Sequence, residues 1–173
     1  MHPHEKEKLL ADLDSGQKVL MDVLRDVTED EAARSPAPGR WSVLECVEHL
    51  AVSEDYLFGQ IVASHRSETR MINKQREAVT VAVGLDRSRK IQSPDVGQPT
   101  GRFSTLAEAV ERFHAARKRT IQFTESCTED LRCKITTHPL IAGDVNCYEI
   151  LLMIAAHPHR HAQQIEEIKA ALR

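Results

Sequence analysis

The sequence predicts an all-α fold, a four-helix bundle with one long crossover connection between helices 2 and 3, in a single domain spanning residues 1–173. Three observations carry that expectation. Four stretches place apolar residues at helical spacing, and three of them open on an N-cap/N3 residue pair. A span rich in Gly, Pro and Ser, from Gly84 to Ser104, carries no apolar stripe. Strand patterns are nearly absent, with Val79 to Val83 the one short run that competes.

The first helix is expected from about Glu5 to Val27, with Leu9, Leu13, Leu20, Leu24 and Val27 on one face and Gly16 and Gln17 interrupting it. Thr28 and Glu31 have the spacing of a capping box for a short helical turn, and Ser35-Pro36-Ala37-Pro38-Gly39 ends it. Ser42 and Glu45 open the second helix, whose stripe is Val43, Val47, Leu50, Leu57 and Ile61 and which reaches Ser64 or beyond. His65 to Val83 is open to more helix, on weak periodicity. Gly84 to Ser104 reads as the crossover loop. Thr105 and Glu108 open the third helix, which runs to about Ser126 with Val110, Phe113, Ile121 and Thr124 inward. Cys127 to Val145 reads as a connection. Asn146 and Glu149 open the fourth helix, which ends near Leu172.

Composition narrows the function classes. The chain has 173 residues, 41% hydrophobic and 28% charged, which suits a globular domain with a real core. Its formal net charge is −3, which argues against nucleic acid as the main partner, since phosphate binding needs a basic face. No apolar run approaches the ~20 residues that span a bilayer, and the polar stretch Met1 to Leu10 lacks a secretory leader's apolar core. The four cysteines, Cys46, Cys127, Cys133 and Cys147, form no C-x-x-C pair and read as reduced thiols of a cytoplasmic protein.

The unusual count is nine histidines. The inward stripe of the fourth helix reads Ile150, Ile154, His157, His161, Ile165 and Ile168, so two imidazoles one turn apart interrupt an apolar face. An H-x3-H pair is unsurprising among nine histidines; its position between apolar neighbours is the stronger signal. Buried imidazole nitrogens cost free energy unless something bonds them. A metal is one solution. Carboxylates, backbone or water bonded to core-edge histidines are another. On the second helix Glu45, His49, Ser53, Tyr56 and Gln60 form a polar stripe, and His49 can meet the pair where the two helices are neighbours. Three histidines would leave coordination positions open, as in catalytic rather than structural zinc sites. Nickel and iron(II) also accept imidazole, so the ligand types do not select the metal. His2, His4, His65, His114, His138 and His159 read as structural or solvated.

These residues in this order resemble the DinB-like superfamily. One block is Trp41-Ser42, Glu45 and His49-Leu50 after a Pro-rich turn. The other is His157, Arg160-His161 and Gln164-Ile165, following His138-Pro139. The resemblance spans about Leu9 to Ile168. It implies a four-helix bundle holding a divalent metal on His49, His157 and His161, usually in a homodimer. It also implies a metal-dependent hydrolase or a transferase of low-molecular-weight thiols such as bacillithiol, acting on a small-molecule substrate. Glu45 is a candidate to orient His49 or to act as base, and Gln164 to support His161. A non-catalytic metal or ligand carrier and a dimeric interaction module are the competing readings. Pro158, between two of the proposed ligands, departs from an ideal helix. It removes the amide that would bond the Ile154 carbonyl and predicts a kink there.

Overall fold

A computed structural model describes residues 1–88 and 91–173; the sequence-expected crossover loop includes residues 89 and 90, which lie outside the described ones. The elements in order are α1 (Pro3–Leu24), α2 (Glu29–Ala33), α3 (Val43–Val62), β1 (His65–Arg66), α4 (Lys74–Leu85), a 3-10 turn (Asp95–Gly97), α5 (Leu106–Ser126), a second 3-10 turn (Leu131–Cys133), β2 (Lys134–His138), β3 (Ile141–Asn146) and α6 (Cys147–Leu172). The four long helices are α1, α3, α5 and α6. Each packs on two others, α1 on α6 and α5, and α3 on α5 and α6, while α4 lies against α6. No helix among the described residues is long and apolar enough to cross a membrane.

The predicted caps form at Ser42 and Asn146; at Thr105 only half of the box does, since the Glu108 carboxylate accepts from the Ser104 amide at 2.9 Å. Ser42 Oγ accepts from the Glu45 amide at 3.2 Å, and the Glu45 carboxylate accepts from the Ser42 amide at 2.7 Å. Asn146 and Glu149 make the same reciprocal pair at 2.9 and 3.0 Å. Each pair satisfies amides that the first helical turn leaves without a partner.

One expectation is corrected. The fold is not purely helical: β1, β2 and β3 form an antiparallel sheet in that order, so the connection from Cys127 to Val145 contains a hairpin. Thr136 pairs with Val145 and Thr137 with Asp144, but His138 pairs with Ile141, and Gly143 takes up the extra length at φ +78°. A bulged hairpin of threonines beside Pro139 lacks the apolar/polar alternation by which a strand is read. Val79 to Val83, the one run with strand character, is helical within α4.

The core is split. One apolar cluster gathers Leu9, Leu13, Leu57, Ile150 and Ile154; the other gathers Leu20, Val47, Leu50, Phe113 and Ile165. Between them every long helix contributes something other than a large apolar side chain: Gly16, Glu54, Arg117 and the His157–His161 turn. Arg117 has no exposed surface. Its guanidinium holds the Glu54 carboxylate at 2.8–3.2 Å, the Leu13 carbonyl at 2.5 Å and the Ile154 carbonyl at 3.1 Å, so one side chain on α5 ties down the other three bundle helices. The Ile154 carbonyl is the one Pro158 deprives of its helical partner. Gly16 makes room there: a Cβ on it would lie 2.7 Å from the Ala155 carbonyl oxygen.

A second buried cation closes the other end. Arg132 bonds Glu77 at 2.8 Å and Glu5 at 2.9 and 3.0 Å, with its guanidinium 4.0 Å from the Tyr148 ring centroid. Hydrogen bonding to Arg132 draws the Glu5 carboxyl down from 4.5 to about 2. A carboxylate with a lowered folded pKa stabilises the fold above its unfolded value and loses that contribution as pH falls toward the folded one. The stability gap between the protein and an Arg132→Met variant is therefore widest above pH 4.5 and closes toward pH 2. Urea midpoints across that range check this, and a gap independent of pH would rule out these carboxylates as its source.

Candidate metal centre

Helix α3 delivers His49 and helix α6 delivers His157 and His161 to one point. The His157 Nε2 lies 3.1 Å from the Nε2 of His49 and 3.0 Å from that of His161. One ring nitrogen from each lies within 4.8 Å of the other two, forming a group with the chemistry to hold a cation. Pro158 does not splay the pair, because the carbonyl it frees is bonded by Arg117 and α6 continues through it.

The direction of His49 is set by backbone. Its Nδ1–H donates to the Gly97 carbonyl at 2.6 Å, and Ser53 Oγ lies 3.3 Å from the same nitrogen. A carbonyl only accepts, so Nδ1 carries the proton and Nε2 presents its lone pair. The Trp41 ring covers the cluster from the side, 4.9 Å from the His49 ring and 6.2 Å from that of His161.

Burial pushes the pKa of all three imidazoles down, those of His157 and His161 well below 6.5, and mutual repulsion of the rings and the charge of Arg160 add to this for that pair. For His49 burial outweighs the opposing bond to Gly97. The rings are therefore neutral at neutral pH. His157 has one Nε2 proton at most, so it can satisfy one facing nitrogen and not both. His161 Nδ1 is also buried with no hydrogen-bond partner among the described residues. A cation satisfies three converging lone pairs at once. Two imidazole nitrogens sharing one zinc ion would stand about 3.3 Å apart, close to the 3.0 and 3.1 Å on either side of His157, and all three lie within 4.8 Å of one another.

The centre forms part of the wall of a cavity of about 910 Å³. Gln164, one turn beyond His161, lines it and is 8% exposed. Glu45 does not line it. Its carboxylate serves the Ser42 cap, and the orienting role considered for it belongs to Gly97 and Ser53. Gln60 also points elsewhere, accepting from Thr136 Oγ1 at 3.0 Å, whereas Tyr56 and Ser53 line the cavity. Two contributors were missed. Gly97 acts through a backbone oxygen, which leaves no residue signature. His138, read as part of the loop before α6, lines the cavity, with Nδ1 accepting from the Leu140 amide at 3.2 Å. His2, His4 and His65 are exposed and His114 and His159 half-buried, none of them at the centre.

Comparison with known proteins bears on the fold and on descent. The structure of YfiT from Bacillus subtilis, described as a probable metal-dependent hydrolase with an unusual four-helix bundle topology, matches with a TM-score of 0.63 at 15% identity. The match covers 99% of this chain and 90% of that one. No curated protein matches the sequence. A model of the DinB superfamily matches residues 12–165, which takes in all three histidines, and the chain belongs to that superfamily.

Proposed function

We propose that the protein is a metal-dependent enzyme, a thiol S-transferase or a hydrolase, in which His49, His157 and His161 hold a divalent ion. The observation that carries this reading is the convergence of three neutral imidazoles, two of them buried and His157 half-buried, on the wall of a large cavity. Such an ion keeps open positions and lowers the pKa of a thiol or water there, supplying a nucleophile near neutral pH. The chain's own part is positional. Gly97 fixes the His49 tautomer, Arg117 and Gly16 seat the turn that carries His157, and Trp41 shields the ring edges from water. Zinc, nickel and iron(II) all suit the donor set. The partner is a small molecule, for which a low-molecular-weight thiol is the proposed class, and the assembly is proposed to be a cytoplasmic homodimer.

Metal analysis tests the centre. The purified protein is expected to carry stoichiometric divalent metal, the His49→Ala/His157→Ala/His161→Ala variant none, and EDTA to lower the melting temperature, because a ligand bound only to the folded state stabilises it. Metal retained by the triple variant rejects the site. Metal without turnover of thiols with electrophiles, or of esters, leaves a carrier. Unchanged melting after chelation leaves an interaction module.

The orienting carbonyl gives a finer test. A Cβ at Gly97 would lie 2.8 Å from Ser93 Oγ, 3.0 Å from Ser53 Oγ and 3.3 Å from His49 Cε1. Gly97→Ala should weaken zinc binding by roughly 10–100-fold, the usual range for a lost supporting bond, with the helical signal unchanged. Equal affinity by competition with a chelating dye would show that Gly97 does not orient His49.

A further inference from the structure

Helix α4 is inverted. Its buried residues are Glu77 and Thr80, while Val79 and Val83 stand 53% and 44% exposed. Both line the cavity above the histidines. They are joined there by Ile91 and Val96, from the connection to α5, and by Leu140, from the tip of the β2–β3 hairpin, at 44%, 41% and 54% exposure. Helix α4, the connection that follows it and the distant β2–β3 hairpin thus bring five of the eight most exposed large apolar side chains among the described residues to one opening. Scattered exposed hydrophobics are ordinary on a protein surface; a ring of them around a concave site signals what the site takes. The cavity, at about 910 Å³, is sized for a whole organic molecule rather than a small polar headgroup.

We propose that the substrate carries a bulky apolar group, an alkyl chain or ring system, which lies in the cavity against Val79, Val83, Ile91, Val96 and Leu140 while its reacting end meets the three histidines. Placing the reacting end there rests on the metal-enzyme reading; the apolar subsite does not. An apolar wall also excludes water from the reacting end.

Trp41 is the sole tryptophan and lines the cavity, so its emission reports occupancy. The test titrates butan-1-ol, hexan-1-ol and octan-1-ol into the protein as purified, after EDTA dialysis, and into the triple His→Ala variant. Affinity should climb about fourfold per methylene in all three samples. Val79→Asp and Leu140→Asp, on exposed rim positions, should each weaken octan-1-ol by at least tenfold without changing circular dichroism. Equal affinity for the three alcohols, or octan-1-ol bound as tightly by the rim variants, overturns the proposal. So does a rim substitution that dissociates a dimer and leaves alcohol binding intact, because the ring would then be a subunit contact. Stoichiometric metal with no chain-length dependence sinks this inference alone; chain-length dependence in a protein that binds no metal sinks the other.

Discussion

Arg117→Ala is expected to cost the fold about 3–5 kcal/mol, the usual penalty for stranding one member of a buried ion pair. Glu54 is 3% exposed and would be left buried with no cation beside it, and the Leu13 and Ile154 carbonyls would lose their donor together. Against the roughly 5–15 kcal/mol that holds a domain of this kind folded, that is a large share. Urea unfolding followed by circular dichroism measures it. A companion double variant, Arg117→Met with Glu54→Leu, removes both charges and should recover much of the loss, because the desolvation cost goes with them. A single variant within 1 kcal/mol of the parent would mean that the bundle does not depend on this tie.

His157→Ala is expected to abolish stoichiometric zinc binding, and to do so more completely than His49→Ala. His157 is the hub, with its Nε2 3.1 Å from that of His49 and 3.0 Å from that of His161. His157→Ala leaves two nitrogens without the member that draws them together, while His49→Ala leaves the pair one turn apart on α6. Titration with a chelating dye ranks the two, and equal losses would show that the three ligands contribute alike. Burial keeps the apo rings neutral well below the ordinary histidine range, so protons compete with zinc only in acid, and affinity in the parent should be flat around neutrality and fall as pH drops. An affinity that already declines between pH 8 and 7 would contradict the neutral cluster.

Much of this was legible from residues alone, and the parts that were not share a cause. The long helices announce themselves because apolar side chains recur at helical spacing behind Ser42, Thr105 and Asn146, and each of those side chains accepts from the amide three residues on. The His157–His161 pair was legible because it interrupts an apolar face. Helix α4 was not, because its apolar residues turn toward a cavity instead of a core. The hairpin was hidden by a bulge, which destroys the period-2 pattern. Arg117 sits in the run Ala-Arg-Lys-Arg, where it looks like any solvated charge; its burial depends on Pro158, forty-one residues away, exposing a carbonyl. Glu45 is a residue with suitable chemistry committed to a cap, the competing role that its spacing from Ser42 already gave it.

The carbonyl that orients His49 comes from Gly97, and Gly97 belongs to the segment joining α3 to α5 rather than to a bundle helix. The scaffold and the tuning of the centre are therefore separable parts of one chain. Exchanging that segment for a relative's would carry over the orientation of a ligand and much of the rim above it, with the helices left standing. Such a fold can diversify its chemistry by revising one connecting segment, β1 and α4 included, and a chimera built at Ala63 and Thr105 would be the natural unit for redesign.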